Sequence, residues 1–142
     1  AMTPSLEVAL KVLLADKSKG SLSERLRREA LTLVSCRHKY VVRLDDFHAV
    51  ADLCYLSMEF APEGDLRKYL AKLGRKLPVA QAARFMEQSA EALDFIHKTG
   101  ITHRDIKPDN ILVINDEEIR IADFGIALLP GEESGTEELS TG

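Results

Sequence analysis

The sequence is poor in cysteine, in long hydrophobic runs and in net positive charge, and each shortage excludes a class of protein. Its two cysteines, Cys36 and Cys54, make neither a disulfide framework nor a metal-ligand spacing. They read as small buried hydrophobes of a reducing compartment. No apolar stretch approaches the ~20 residues a membrane-spanning helix needs, and no signal peptide opens the chain. With 19 Lys and Arg against 23 Asp and Glu the net charge is −4, so no electrostatic footprint for nucleic acid or an anionic membrane is visible. There is no internal repeat and no long low-complexity segment. What remains is ordinary globular material, 142 residues with 45% hydrophobic and 30% charged side chains, enough for one cytoplasmic domain.

Local patterning divides the chain into short elements. Residues 8–14 are β-prone and bounded by polar positions, which predicts a buried strand. Ser21 and Glu24 have capping-box spacing ahead of a helix over about 22–35. Residues 41–47 and 53–60 read as two strands joined by a short polar turn. The segment 61–64 breaks the pattern, and a short amphipathic helix follows to about Leu73. Leu77 and Pro78 open a long helix to about Lys98, with Ala82, Met86, Ala90, Leu93 and Ile96 on one stripe, and Gly100 ends it. Residues 111–114 and 119–122 flank Asn115-Asp116 as a small hairpin. From Pro130 onward Gly, Glu, Ser and Thr predict a mobile loop.

Charges placed where the pattern wants apolar side chains are the strongest clues. On the first helix Glu29 falls into the stripe of Leu22, Leu26 and Leu33. On the first strand, alternation sets Lys11 on one face with Ala9 and Leu13. A buried unpaired ion costs several kcal/mol, so each needs a partner, and the simplest arrangement pairs Lys11 with Glu29. Either charge alone is equally well read as a snorkelling or rim charge. Two blocks sit at loop entrances, where chemistry concentrates: residues 103–110, His-Arg-Asp-Ile-Lys-Pro-Asp-Asn, and 123–125, Asp-Phe-Gly. Asp105, Asn110 and Asp123 offer the oxygen atoms that hard cations prefer, and Lys107 offers a cation for phosphate oxygens. Asp-Phe-Gly alone turns up by chance; the ordered ensemble does not.

At these residues the chain resembles the eukaryotic-type (Hanks-type) serine/threonine protein kinases, whose signature set is well defined. The resemblance covers residues 7–141. It implies a truncated α+β protein-kinase-like fold, with residues 1–60 as part of the N-lobe and 61–142 as part of the C-lobe, ending in the activation segment. It implies ATP and Mg²⁺ as cofactors and a protein as substrate. Lys11 would grip the α and β phosphates with Glu29 as its partner on helix C, Asp105 would orient the substrate hydroxyl and accept its proton, and Asn110 and Asp123 would hold Mg²⁺. Lys107, two residues after Asp105, fits the Ser/Thr pattern and would stabilise the transferring phosphate. Met58 resembles the gatekeeper, Glu59-Phe60-Ala61 the hinge, and Ala9 and Leu112 the residues that sandwich adenine. Leu33, Leu44, His103 and Phe124 resemble the hydrophobic column that holds helix C. The runs over residues 101–110 and 123–127 look like bacterial members of the family.

Three departures accompany the resemblance. No glycine precedes Lys11, so the phosphate-covering loop and its two strands are absent from the chain, and the strand bearing Lys11 is expected to present an open edge that invites dimerisation or swapping. The chain stops at Gly142, inside the activation segment, as an engineered or proteolysed piece would, and Ala1-Met2 resembles a cloning remnant. Arg104 implies control by activation-loop phosphorylation, with Ser134, Thr136, Ser140 and Thr141 as acceptors, although Leu128 stands where relatives often carry a basic residue. Two other readings stay open: a non-catalytic nucleotide-binding or scaffolding module of kinase-like fold, and a small-molecule kinase of related fold.

Overall fold

The computed structural model describes residues 7–14, 34, 36–50 and 53–123. The expected helix over 22–35 falls outside them except for Val34, which is helical. Glu29, Leu33, Phe124 and the four candidate phosphoacceptors also lie outside the described residues.

Three antiparallel strands form the first layer: β1 (Val8–Leu14), β2 (Leu44–Val50) and β3 (Leu53–Glu59), in the order β1-β3-β2. The register sets Ala9 opposite Met58 and Lys11 opposite Leu56. The side chains of β1 alternate between two faces as expected, but the strand is not buried as expected, because only one of its faces turns inward. Ala9 and Lys11 are half-buried, while Leu10 and Val12 stand 60% and 53% exposed on the other face. Among the described residues β1 is an edge strand.

β2 starts later than the expected 41–47. Val41 and Val42 are buried, yet their segment is not part of the three-stranded sheet. The Val42 N–H donates to the Ile121 carbonyl at 2.9 Å and the Ile121 N–H to the Tyr40 carbonyl at 2.8 Å. The apolar run is real, but its partner is a parallel bridge to a distant strand.

Past residues 59–61, α1 (Leu66–Lys72) is capped by Asp65, whose Oδ1 accepts from the Lys68 N–H at 2.9 Å. Gly64 before it adopts φ 74°, a left-handed turn that glycine enters without steric cost. α2 (Val79–Lys98) follows Pro78 as expected. His97 and Lys98 in its last turn complement the helix dipole, and Gly100 at φ 83° closes it.

The face that α2 buries corrects the expected stripe. Phe85, Gln88, Ala92 and Ile96 point inward, while Met86 is 73% exposed and Ala90 is exposed. The helix carries apolar side chains on two faces, and the polar Gln88 decides between them. Its Nε2 donates to the Glu117 carbonyl at 2.7 Å and its Oε1 accepts from the Ile119 N–H at 3.0 Å. A buried carboxamide satisfied on both sides avoids the desolvation penalty of an unpaired one.

A 3₁₀ turn (Pro108–Asn110) leads into the hairpin of β4 (Ile111–Asn115) and β5 (Glu118–Ile121). Its turn falls where the sequence predicts, and Asn115 Oδ1 accepts from the Glu117 N–H at 2.8 Å. Val113, Ile119 and Ile121 of the hairpin join Leu56, Val42, Phe85, Ala92 and Ile96 in one hydrophobic core. Both layers therefore rest on the same apolar cluster, which fixes the loops between them.

Candidate active site

Two loop entrances meet beside the hairpin. Ala122, directly after β5, donates its N–H to the Asn110 carbonyl at 2.9 Å. Its own carbonyl accepts from His103 Nε2 at 2.8 Å. The other ring nitrogen of His103, Nδ1, accepts from the Asp105 N–H at 3.2 Å, so the network assigns the proton to Nε2. His103 is 1% exposed. One buried imidazole thus ties the start of the catalytic-type loop to the strand end carrying Asp123.

Within the loop, Asn110 is buried, and its Nδ2 donates to both the carbonyl of Asp105 at 2.8 Å and its Oδ2 at 2.9 Å. The Lys107 ammonium lies 3.3 Å from the same Asp105 Oδ2. The Asp105 carboxylate is therefore oriented by one amide and one ammonium, and still reaches solvent. Lys11 of β1 extends across to Asp123, with Nζ 3.2 Å from Oδ1. Both side chains are partly solvated, so this bridge adds little stability. Its consequence is positional: it links the first sheet to the loop that follows β5.

Backbone geometry marks the same place. Of the three non-glycine residues at positive φ among the described residues, Arg104 and Asp123 hold 62° and 63° here, while Arg75 at 65° follows α1. Left-handed non-glycine residues cost roughly 1–3 kcal/mol each and cluster at functional sites. The flanking hydrogen bonds of His103 and Ala122 hold both segments in place.

A divalent cation fits this donor set. Asn110 uses its Nδ2 on Asp105, which leaves Oδ1 for a cation, and Asp123 Oδ2 lies on the carboxylate edge away from the Lys11 contact. Among the described residues no three His, Cys, Asp or Glu side chains converge on a metal-sized space. A site with one carboxylate and one amide oxygen is what Mg²⁺ accepts when substrate phosphates and water complete its shell.

The adenine-side candidates fall on two neighbouring elements, the first sheet and the hairpin. Ala9 and Met58 are cross-strand partners, Glu59 ends β3, and Leu112 on β4 bridges to Asp65 just past Ala61. Leu44 and His103 of the expected hydrophobic column are buried. Lys11 meets Asp123, while the expected Lys11–Glu29 pair lies outside the described residues.

Sequence reasoning missed two positioning contacts. Arg120 lies on β5 between the buried Ile119 and Ile121. Its Nε lies 3.2 Å from Glu59 Oε2 and its Nη1 2.8 Å from Glu118 Oε1, tying the end of β3 to the hairpin. Arg67 of α1 holds Asp109 of the catalytic-type loop at 2.8 Å. The Arg67 hydrogen bond draws the Asp109 carboxyl below its ordinary value of 3.8. No local pattern signals either pair, because each spans over forty residues of sequence.

Comparison with known proteins shows the family. CBL-interacting protein kinase 4 of Oryza sativa subsp. japonica is 39% identical over 128 residues, 87% of this chain and 28% of that protein. Aurora kinase B of Xenopus tropicalis is 40% identical over 119 residues, 83% of this chain and 33% of that protein. The chain thus spans about a third or less of the curated relatives it matches. These relatives are plant and frog proteins, so they lend no support to the bacterial character expected of residues 101–110 and 123–127. The family described as protein kinase domain matches residues 3–141, and the chain belongs to it.

Proposed function

We propose that this chain holds the catalytic centre of an ATP-dependent serine/threonine protein kinase, with residues 1–60 contributing to the N-lobe and 61–142 to the C-lobe. The observation that carries the reading is the convergence of Lys107 and Asn110 on the Asp105 carboxylate while Lys11 reaches Asp123. Asp105 accepts the proton of a substrate hydroxyl as that oxygen attacks phosphorus. Lys107, beside it, balances charge on the transferring phosphate oxygens. Mg²⁺, when bound between Asn110 and Asp123, supplies positive charge against the phosphates. Lys11 positions the nucleotide from β1, and Met58, Glu59 and Ala61 line the adenine side with Ala9 and Leu112. Arg104 is the residue through which a phosphorylated Ser134, Thr136, Ser140 or Thr141 would act.

The test is Mg·ATP-dependent phosphate incorporation into a protein substrate by this chain and by its Asp105→Asn variant. Asn retains an oxygen that accepts from Asn110 but removes the base. The expected loss in the variant is about 10²–10⁴-fold, the usual contribution of a positioned general base. Equal incorporation by both would refute the assignment. No incorporation by either would mean that these residues mark the chemistry of a longer kinase and that this chain alone is an inactive fragment of it.

A further inference from the structure

A pocket lies between the segment preceding β2, the end of β3 and the hairpin, and none of Asp105, Lys107, Asn110 and Asp123 lines it. Its volume is about 220 Å³. Cys36, Val41 and Leu44, all buried, supply an apolar floor. Arg37, Lys39, Arg43 and Arg120 line it against a single carboxylate, Glu59. This excess of positive charge occurs in a chain of net charge −4, so it is local and not a reflection of composition.

The cations differ in how far they are already matched. Arg43 is paired with Asp45 at 2.7 Å and Lys39 with Glu91 at 3.0 Å, and neither carboxylate lines the pocket. Arg120 is held by Glu59 and Glu118. Arg37 makes no ion pair with any carboxylate among the described residues, and its side chain is exposed at the rim. An unmatched guanidinium above an apolar floor selects an anion with an apolar body. The planar fork of Arg matches a carboxylate in two parallel hydrogen bonds. A tetrahedral, fully hydrated anion such as phosphate gains nothing from the floor. The volume is below the ~300–1,000 Å³ of pockets for drug-sized ligands, which limits the body to about one ring.

We propose that this pocket is a binding site for a small organic carboxylate, seated with its ring on Cys36, Val41 and Leu44 and its carboxylate on Arg37. The site is separate from the phosphotransfer residues and does not depend on their activity.

The experiment is a titration of the ¹⁵N-labelled chain, followed by amide chemical shifts, with three probes: benzoate, its neutral isostere benzamide, and inorganic phosphate. The expected result is saturable benzoate shifts confined to amides of residues 36–44 and 120, with a dissociation constant in the millimolar range or tighter, as suits so small a ligand. Benzamide and phosphate each bind at least about tenfold more weakly, and Arg37→Gln weakens benzoate by a similar factor. Arg37 is exposed, so the variant keeps the fold, which its spectrum reports directly. Shifts that do not saturate, benzamide binding as well as benzoate, phosphate binding as well as benzoate, or a folded Arg37→Gln variant with unchanged affinity would each overturn the proposal.

Discussion

Gln88 completes the backbone pairing of Ile119. The Ile119 N–H donates to the side-chain oxygen at 3.0 Å while Nε2 reaches the neighbouring Glu117 carbonyl at 2.7 Å. A helix side chain thereby stands in for a missing strand at the edge of the hairpin. Replacing Gln88 by Leu keeps the volume and strands both backbone groups, each costing about 1–3 kcal/mol when unsatisfied. A fall of about 2–4 kcal/mol in urea-unfolding free energy is expected. An unchanged midpoint would mean that water satisfies those groups equally well.

His103 joins Asp105 to Ala122 through its two ring nitrogens. Its replacement by Leu removes both bonds from a buried position, and about 2–3 kcal/mol of stability should be lost. The same network fixes the tautomer. Nitrogen NMR of the wild-type chain should find the proton on Nε2, and a proton on Nδ1 would contradict the Asp105 contact.

Arg120 and Glu59 couple the end of β3 to β5 at 3.2 Å with both side chains largely withdrawn from water. Removing one partner of such a pair costs more than removing both. Arg120→Met should lose about 2 kcal/mol, and adding Glu59→Gln should recover at least about 1 kcal/mol of it. Strictly additive effects in the double-mutant cycle would show that the pair is uncoupled.

Arg67 holds the Asp109 carboxyl below its ordinary value. A depressed carboxyl contributes stability above its unfolded value of about 3.8, and that contribution disappears as pH falls through the folded value. A carboxyl-carbon NMR titration should place the Asp109 midpoint below 3.8 in the native chain. The midpoint should rise toward 3.8 in Arg67→Ala, because the hydrogen bond that lowers it has gone. Equal midpoints in the two proteins would remove Arg67 as the cause.

Much was legible in the sequence because it was local. Period-two alternation placed Lys11 on β1, and Pro78 and Gly100 bounded α2 to within a residue. Asn115-Asp116 located the hairpin turn, and the ordered blocks at 103–110 and 123–125 carried the family. Each of these rests on backbone preferences or spacing within a few residues, which no distant partner needs to supply.

Tertiary structure alone decided what depended on partners far along the chain. The run 41–42 is buried, but whether it joins β3 or β5 depends on which backbone offers free groups. The two apolar faces of α2 are close in composition, and the satisfied carboxamide of Gln88 selects the one that is buried. Arg120 ties β5 to the end of β3 because Glu59, sixty-one residues earlier, is brought beside it. Hydrophobic burial is non-directional and can be met in several ways. The directional hydrogen bonds of a few polar side chains then choose among them, and their partners exist only once the chain has folded.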